Sequence, residues 1–121
     1  MKNIRFSPEK NFVIFGAGVT YSDLIKELAA QKLALPVLPS LPHVNVIGSL
    51  VTGTHGGGVG IPALITYVEG YRYLSPLGKI ETSNKTDKFF YTRIQSFGTG
   101  GIITEMTMKV VPEFAVKKCV Y

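Results

Sequence analysis

A long uncharged segment in the first half of the chain limits the possible fold more than any other feature of the sequence. From Leu33 to Val68 there is no Asp, Glu, Lys or Arg. The same segment holds Pro36, Pro39, Pro42 and Pro62, and almost half of the glycines of the chain. Because proline removes a backbone donor and glycine is costly inside a helix, a long regular helix is excluded here. The segment predicts irregular backbone that packs against another surface and keeps main-chain N–H groups available.

The size and composition of the chain predict one small globular domain. With 121 residues, the chain has room for a single folded unit and hardly for two. Charged residues make up 17% and hydrophobic residues 45%, which argues against disorder. No apolar run reaches the ~20 residues of a membrane-spanning helix, and the first residues lack the apolar centre of a signal peptide. We therefore expect a soluble, cytoplasmic protein without a membrane partner.

The net charge of +5 raises the question of a nucleic-acid partner. The thirteen basic residues are scattered along the chain, and only Lys117 and Lys118 are adjacent. A surface that follows a phosphate backbone usually carries its basic residues in a stripe with interleaved aromatic side chains. Since no such stripe is visible, we expect no nucleic-acid partner.

Apolar periodicity and turn residues predict a single α+β unit. A β-branched and aromatic run at 11–15 is typical of a strand, and Thr20 with Asp23 is the start signal of a helix that extends to about Lys32. The remaining predicted elements are strand-like pieces at 44–47 and 50–52, a hairpin with strands at 67–74 and 79–82, a helix at 88–95, a glycine turn at 98–101, and a strand at 102–111 that buries Met106, Met108 and Val110.

The turn between the first strand and the first helix imitates a dinucleotide-binding fingerprint. Its sequence, Phe15 to Tyr21, has two of the three expected glycines, and Tyr21 stands in place of the third. The acidic residue expected about 20 positions later would fall within the uncharged segment. A simple glycine turn between strand and helix is therefore the preferred interpretation.

A second glycine-rich loop, Gly53 to Gly60, is similar to a phosphate-binding loop. It is not a Walker A loop, because no Lys followed by Ser or Thr comes after the glycines. Ser49, Thr52 and Thr54 add hydroxyl donors, and no neighbouring carboxylate repels an anion. A glycine turn that binds nothing explains the same pattern, so the residues alone leave both interpretations open.

The histidines and the single cysteine do not predict a metal site. His43, His55 and Cys119 have no cluster of further ligands near them in the sequence. One cysteine cannot form a disulfide within the chain, and Cys119 has no His and acid beside it to make it a nucleophile. His55 is the better functional candidate because it stands among glycines, but no catalytic residue can be assigned.

Residues 40–60, SLPHVNVIGSLVTGTHGGGVG, resemble the flavin-binding domain of the vanillyl-alcohol-oxidase (PCMH-type) family. Within that family they are most similar to the alditol (xylitol) oxidases and sugar-lactone oxidases, which carry a similar Ser-Leu-Pro-His … Gly-Ser … Thr-Gly-Thr-His-Gly segment. The flanks agree as well, and the matching segments are 15–21, 87–90, 96–98, 101–105 and 111–112. The resemblance covers about residues 11–114.

The resemblance implies an α+β fold, with a small and mostly antiparallel sheet flanked by helices: the second subdomain of a PCMH-type FAD-binding domain. It implies FAD as the cofactor, held largely by main-chain groups. The residues that it places along the cofactor are Ser40, Pro42, Gly48, Ser49, Thr52, Gly53, Thr54, His55 and Gly56, with the backbone of Ile102 and Ile103 pairing with the adenine.

The family pattern also contains parts that we do not expect within residues 1–121. Its members begin with another small subdomain, which grips the diphosphate and in many cases carries a His joined covalently to the flavin, and they continue into a substrate domain. We therefore expect residues 1–121 to be a single unit, of which about 11–114 match the C-terminal half of the FAD-binding domain. Both other parts are expected to be absent.

The implied function is the FAD-binding part of an oxidoreductase that oxidises a polyol or a sugar lactone with oxygen as the acceptor. The alternative is a non-enzymatic fragment that binds a nucleotide weakly or docks a protein partner. In either case, we expect the face lined by Val46, Ile47, Leu50 and Val51 to be exposed. Such a face favours self-association or pairing with the missing subdomain.

Overall fold

Within residues 1–120, which the computed structural model describes, the chain forms a five-stranded sheet, a two-stranded sheet and three short α-helices. The elements in chain order are β1 (Ile4–Phe6), β2 (Phe12–Gly16), α1 (Tyr21–Ala30), β3 (Leu33–Ala34), α2 (Val46–Val51), a 3₁₀ turn (Leu64–Tyr67), β4 (Val68–Leu74), β5 (Ile80–Asn84), α3 (Phe90–Ile94), β6 (Ile102–Lys109) and β7 (Val111–Pro112).

The large sheet has the order β1-β2-β6-β4-β5, and every neighbouring pair is antiparallel. The central strand is β6, where Met106 lies opposite Phe15 of β2 on one side and opposite Tyr71 of β4 on the other. The small sheet pairs β3 with β7. This architecture confirms the expected α+β fold with a small antiparallel sheet and helices.

One face of the large sheet is buried, because apolar residues alternate along its strands. Val13 and Phe15 of β2 and Met106 and Met108 of β6 have no exposed surface. The opposite face is polar, and there Arg5 of β1 donates two hydrogen bonds to the Glu105 carboxylate, at 2.9 and 3.0 Å. The expected burial of one side of the strand at 102–111 is thus confirmed.

Helix α1 begins where its sequence signal predicts. Thr20 is the N-cap: its side chain accepts a hydrogen bond from the Asp23 N–H, while the Asp23 carboxylate accepts one from the Thr20 N–H. The helix buries Tyr21, Leu24 and Leu28 against the sheet. The two hydrogen bonds pair the Asp23 and Thr20 N–H groups, which no helical carbonyl can reach, and burial of the apolar face supplies the rest of the stabilisation.

The predicted strand-like pieces at 44–47 and 50–52 are wrong, because residues 46–51 form helix α2. The β-branched residues there have strand propensity, but the Asn45 side chain caps the first turn by accepting a hydrogen bond from the Gly48 N–H at 2.8 Å. Tertiary packing then favours the helix over a strand, because Val46 and Leu50 are fully buried and Ile47 is only 6% exposed. The expected exposed face at 46–51 is therefore also wrong.

The remaining predicted elements are close to the observed ones. The hairpin and the last long strand agree to within a few residues, while the helix predicted at 88–95 is shortened to Phe90–Ile94. Strand β1 was not predicted, since three residues beside charged neighbours carry no periodicity. None of the helices in residues 1–120 has the length and apolar character needed to cross a lipid bilayer.

Candidate functional site

Helix α2 carries the middle of the predicted site, and Asn45 fixes where it starts. The Asn45 amide donates a hydrogen bond to the Ala17 carbonyl at 2.6 Å, while its carbonyl oxygen caps the helix at Gly48. The Val46 N–H also binds the Val19 carbonyl at 3.0 Å. The start of α2 is therefore tied to the turn between β2 and α1, which is the turn that imitates a dinucleotide fingerprint.

Ser49 lies in the interior of the protein and has few groups left for a ligand. Its hydroxyl oxygen lies 2.6 Å from the Tyr21 phenol oxygen and 2.8 Å from the Val46 carbonyl oxygen to which it donates. Its backbone carbonyl accepts hydrogen bonds from the Thr54 N–H and the Thr52 hydroxyl, each at 3.0 Å. Burial raises the pKa of Tyr21, so the phenol stays protonated. Ser49 thus shapes the loop that follows α2.

The chain turns sharply at Gly53, directly after α2. Gly53 has φ +76°, a conformation that glycine adopts without strain, and its N–H binds the Leu50 carbonyl at 3.1 Å. A side chain built at this position would approach the Gln95 amide to 3.5 Å, so space is adequate and the backbone conformation is the constraint. Gly53 directs the chain from α2 into the exposed loop beyond it.

The glycine loop, which we define as residues 53–60, presents free backbone donors. Among the residues that the structure describes, no hydrogen bond uses the backbone N–H groups of residues 55–60. His55 is exposed, and its Nδ1 lies 3.2 Å from the Gly56 carbonyl oxygen. Since no acidic residue belongs to the loop, its donor set suits a diphosphate.

Two glycines of this loop leave no room for a side chain. A Cβ at Gly56 would lie 2.8 Å from the Val37 Cγ2 atom, and one at Gly58 would lie 2.7 Å from the end of the Ile61 side chain. A Cβ at Gly57 would meet nothing within 4 Å. The close approach of the loop to Val37 therefore requires glycine at 56 but not at 57.

The structure brings two distant predicted segments together at one pocket. This cavity of about 210 Å³, the α2–β6 pocket, lies between α2, α3 and the start of β6. Its walls include Ile47, Val51, Ile94, Gly101, Ile102 and Ile103. The lining is mostly apolar and suits the faces of a planar ring.

The backbone of Ile102 and Ile103 lies at an open edge of the sheet within this pocket. Strand β6 pairs with β4 as far as Ile102, whereas its pairing with β2 ends at Glu105, next to the hydrogen bond from the Ala17 N–H to the Thr104 carbonyl. Two residues of β6 therefore extend past the end of β2, where no strand covers them. The side chain of Ile103 is buried and that of Ile102 is 65% exposed.

Ser40 and Pro42 lie on the exposed loop before α2, outside the α2–β6 pocket. The Pro42 carbonyl accepts a hydrogen bond from the Ser22 N–H at 2.7 Å, which fixes the loop to the first turn of α1. The predicted residues thus divide into three neighbouring parts: this loop, the α2 region with the glycine loop, and the edge of β6.

Arg93 is a residue of the pocket wall that sequence reasoning missed. Its guanidinium donates to the Asp87 carboxylate at 2.8 Å and lies 4.8 Å from the centre of the Tyr73 ring. The hydrogen bonds from Arg93, from the Phe89 N–H and from Ser83 lower the pKa of Asp87 to about 2. The six-residue spacing of Asp87 and Arg93 matches no helical pair, so no sequence signal indicates their contact.

No group of three or more His, Cys, Asp or Glu side chains within residues 1–120 is arranged to hold a metal ion. Cys119 is exposed and forms no disulfide in the described part of the chain.

Comparison with known proteins gives consistent matches. Residues 1–84 match the family model described as "FAD binding domain". The chain is 36% identical to an alditol oxidase of Streptomyces sp. over 101 residues, which are 84% of the chain and 24% of that protein. It is 33% identical to a putative D-arabinono-1,4-lactone oxidase of Neurospora crassa over 106 residues, 86% of the chain and 19% of that protein.

The fold is similar to that of solved structures. The Physcomitrella patens protein BBE-like 1 superposes with a TM-score of 0.74 at 20% identity, and the match covers 92% of the chain and 25% of that protein. At this identity the likeness concerns the fold. The chain thus spans about a quarter or less of the length of the relatives named here.

Proposed function

The chain belongs to the FAD-binding domain family, and from this premise we propose that it forms one wall of the flavin site in an oxidase of sugar alcohols or sugar lactones. FAD is the cofactor of the family. The named relatives are an alditol oxidase and a putative D-arabinono-1,4-lactone oxidase. Their activities, substrates and use of oxygen are proposals for this protein, since the chain spans a minor part of their length.

The observation that carries this proposal is that helix α2 lines the α2–β6 pocket and, at its C-terminal end, leads directly into the glycine loop. The α2–β6 pocket offers an apolar wall for a ring system, and the glycine loop offers unpaired N–H groups for a diphosphate. FAD combines these two kinds of group in one molecule. The residues present therefore fit the cofactor.

We assign roles to the predicted residues on this basis. The backbone N–H groups of His55 and Gly56 bind the diphosphate, and the backbone of Ile102 and Ile103 pairs with the adenine. Gly53 and Thr54, whose N–H groups bind the Leu50 and Ser49 carbonyls, shape the loop that presents those donors. Gly48, Ser49 and Thr52 hold α2 and its C-terminal end in position. Ser40 and Pro42 border the cofactor from the preceding loop.

Bound FAD would accept a hydride from the substrate, while the protein supplies binding and orientation. The residues of this chain hold the cofactor, and we assign none of them as a catalytic acid or base. We propose that about residues 11–114 correspond to the C-terminal half of an FAD-binding domain. Groups that orient a polyol or lactone would then belong to other parts of the enzyme.

The partners and the location follow from the same proposal. FAD and the polyol or lactone are the small-molecule partners, and the rest of the enzyme would cover the exposed side of the α2–β6 pocket, where Ile102 is 65% exposed. Self-association is the alternative way to cover this surface. A cytoplasmic location is part of the same proposal. No observation favours the alternative of a non-enzymatic module.

The test is a titration of the purified chain with FAD, followed by flavin fluorescence and by calorimetry. We expect weak binding, micromolar or weaker, because each 1.4 kcal/mol of lost contacts costs about a factor of ten in affinity. Gly57→Ala is the matched control for Gly56→Val, since position 57 has open space. Binding that is weakened by the change at 56 and not by the change at 57 supports the proposal.

The same preparation is assayed for peroxide with xylitol, sorbitol and a sugar lactone. We expect no turnover above that of free flavin, because orientation of the substrate can supply roughly 7–11 kcal/mol of barrier lowering and requires groups on the substrate side. Peroxide formation by the chain alone would show that these residues suffice for catalysis. Absence of FAD binding at millimolar cofactor would instead refute the flavin-binding role.

A further inference from the structure

Phe97 has an unfavourable backbone conformation for a large side chain. Its φ is +53°, in the left-handed region, and the next residue, Gly98, has φ +85°. The Thr99 N–H binds the Ser96 carbonyl at 3.1 Å, so residues 96–99 form a tight turn with positive φ at both central positions. Asn, Asp and Gly are the usual residues at the first central position of such turns. A phenylalanine there is strained.

The burial of Phe97 does not compensate for this strain. Its surface is 76% exposed, so the ring gains little from packing within the chain. Hydrogen bonds that do not involve the Phe97 ring stabilise the turn. The Gly100 N–H binds the Ser96 hydroxyl at 2.8 Å, and that hydroxyl donates to the Arg93 carbonyl at 2.7 Å. Strained residues of this kind concentrate at sites of function.

The turn that carries Phe97 borders the α2–β6 pocket. Ile94 and Gly98, which flank Phe97 closely in sequence, line that pocket, as do Gly101 and Ile102. The backbone of Phe97 is therefore one residue away from the wall of the cavity to which we assign the adenine, and its side chain is exposed. Aromatic side chains stack on nucleobases through their flat faces.

We propose that Phe97 is a specificity-determining residue, whose ring stacks on the adenine of the bound cofactor and favours FAD over flavins that lack adenine. This proposal rests on the proposed flavin-binding function and extends it to a residue that neither the glycine loop nor the edge of β6 includes. The strained turn then serves to present the ring to the ligand.

The test compares two substitutions at this position in the full chain. Phe97→Asn removes the ring and installs the residue that the turn prefers, so we expect the unfolding temperature to hold or to rise by a few degrees. The same change should weaken FAD and AMP binding roughly tenfold and leave FMN binding unchanged. Phe97→Tyr keeps an aromatic ring and should keep the affinity for FAD and AMP.

Phe89→Asn is the matched control, because Phe89 is also an exposed phenylalanine but has an ordinary φ of −100°. It should leave all three affinities unchanged. If wild type and Phe97→Asn bind FAD equally, or if FMN binding falls as much as FAD binding, the stacking proposal is wrong while the flavin-binding function stands. If the wild type binds neither FAD nor AMP, the proposed function itself fails.

Discussion

The phenol oxygen of Tyr21 lies 2.6 Å from the hydroxyl oxygen of Ser49, and both residues are buried. Tyr21 is the first residue of α1, and Ser49 is the central polar residue of α2. The bond therefore joins the two helices at a place where water cannot replace either partner. Through Ser49 it also fixes the start of the glycine loop.

Removing this bond should lower the stability of the protein. Tyr21→Phe and Ser49→Ala should each cost about 1 kcal/mol, because a buried hydroxyl loses its partner in both variants. For a domain of this size that corresponds to a fall of roughly 4 °C in the unfolding temperature. The double variant should cost much less than the sum of the single changes. Additive losses in thermal unfolding would show that the two groups act independently.

Asn45 should contribute to stability through both ends of its side-chain amide. Asn45→Ala loses the helix cap and the bond to the Ala17 carbonyl, and should cost about 2 kcal/mol. Asn45→Ser retains a capping oxygen but cannot make the second bond, so its stability should lie between those of the wild type and the alanine variant. Denaturant unfolding measures this order. Equal stability of the serine and alanine variants would refute the capping role.

Gly56 should be required both for the packing of the glycine loop and for cofactor binding. Gly56→Val places a side chain against Val37, and it also holds the neighbouring N–H groups away from a diphosphate. We expect the loss of free energy of FAD binding to exceed the loss of free energy of unfolding. Because Val37→Ala makes room for the new Cβ, adding it to Gly56→Ala should restore stability without restoring affinity. Recovery of full FAD affinity in that double variant would contradict the role of the free N–H groups.

Asp87 should make the stability of the protein depend on pH in the acid range. Its pKa in the folded protein is about 2, below the ordinary value of 3.8, because Arg93 donates to its carboxylate. The stabilisation is therefore present above about pH 4 and is lost as the pH falls from 4 to 2. The difference in unfolding temperature between wild type and Asp87→Asn should be largest near neutral pH and vanish near pH 2. A difference that does not change with pH would exclude this ion pair as its source.

Local signals in the sequence predicted the elements that are stabilised locally. The reciprocal hydrogen bonds of Thr20 and Asp23 identify the start of α1, and the alternation in β6 identifies its buried side. Helix α2 escaped prediction, because five of its six residues are β-branched or small and have little helical preference of their own. The bond from the Asn45 amide to Ala17 and the burial of Val46 and Leu50 stabilise this helix, and both depend on residues far away in the chain.

The candidate site was predictable only in part for the same reason. A glycine-rich run indicates free backbone donors, so the glycine loop could be located from its residues. The resemblance to flavin-binding domains added Ile102 and Ile103. The contact of Arg93 with Asp87 depends on the turn that leads into α3, where the Phe90 N–H binds the Asp87 carbonyl, and the closeness of Phe97 to the pocket depends on how α3 and the start of β6 pack around that cavity. No spacing in the sequence encodes that packing.

The central position of β6 has a consequence for synthesis of the protein. Met106 pairs with Phe15, which the ribosome adds 91 residues earlier. At a translation rate of about 5–20 residues per second, β2 waits roughly 5–20 s before its partner strand exists. During that interval the edge of β2 that β6 will cover is unpaired, and the same holds for β4 from the time it is synthesised; such edges are open to pairing with other chains. A nascent chain of this fold therefore depends on late closure of its sheet, and a chaperone that shields β2 would act in this interval.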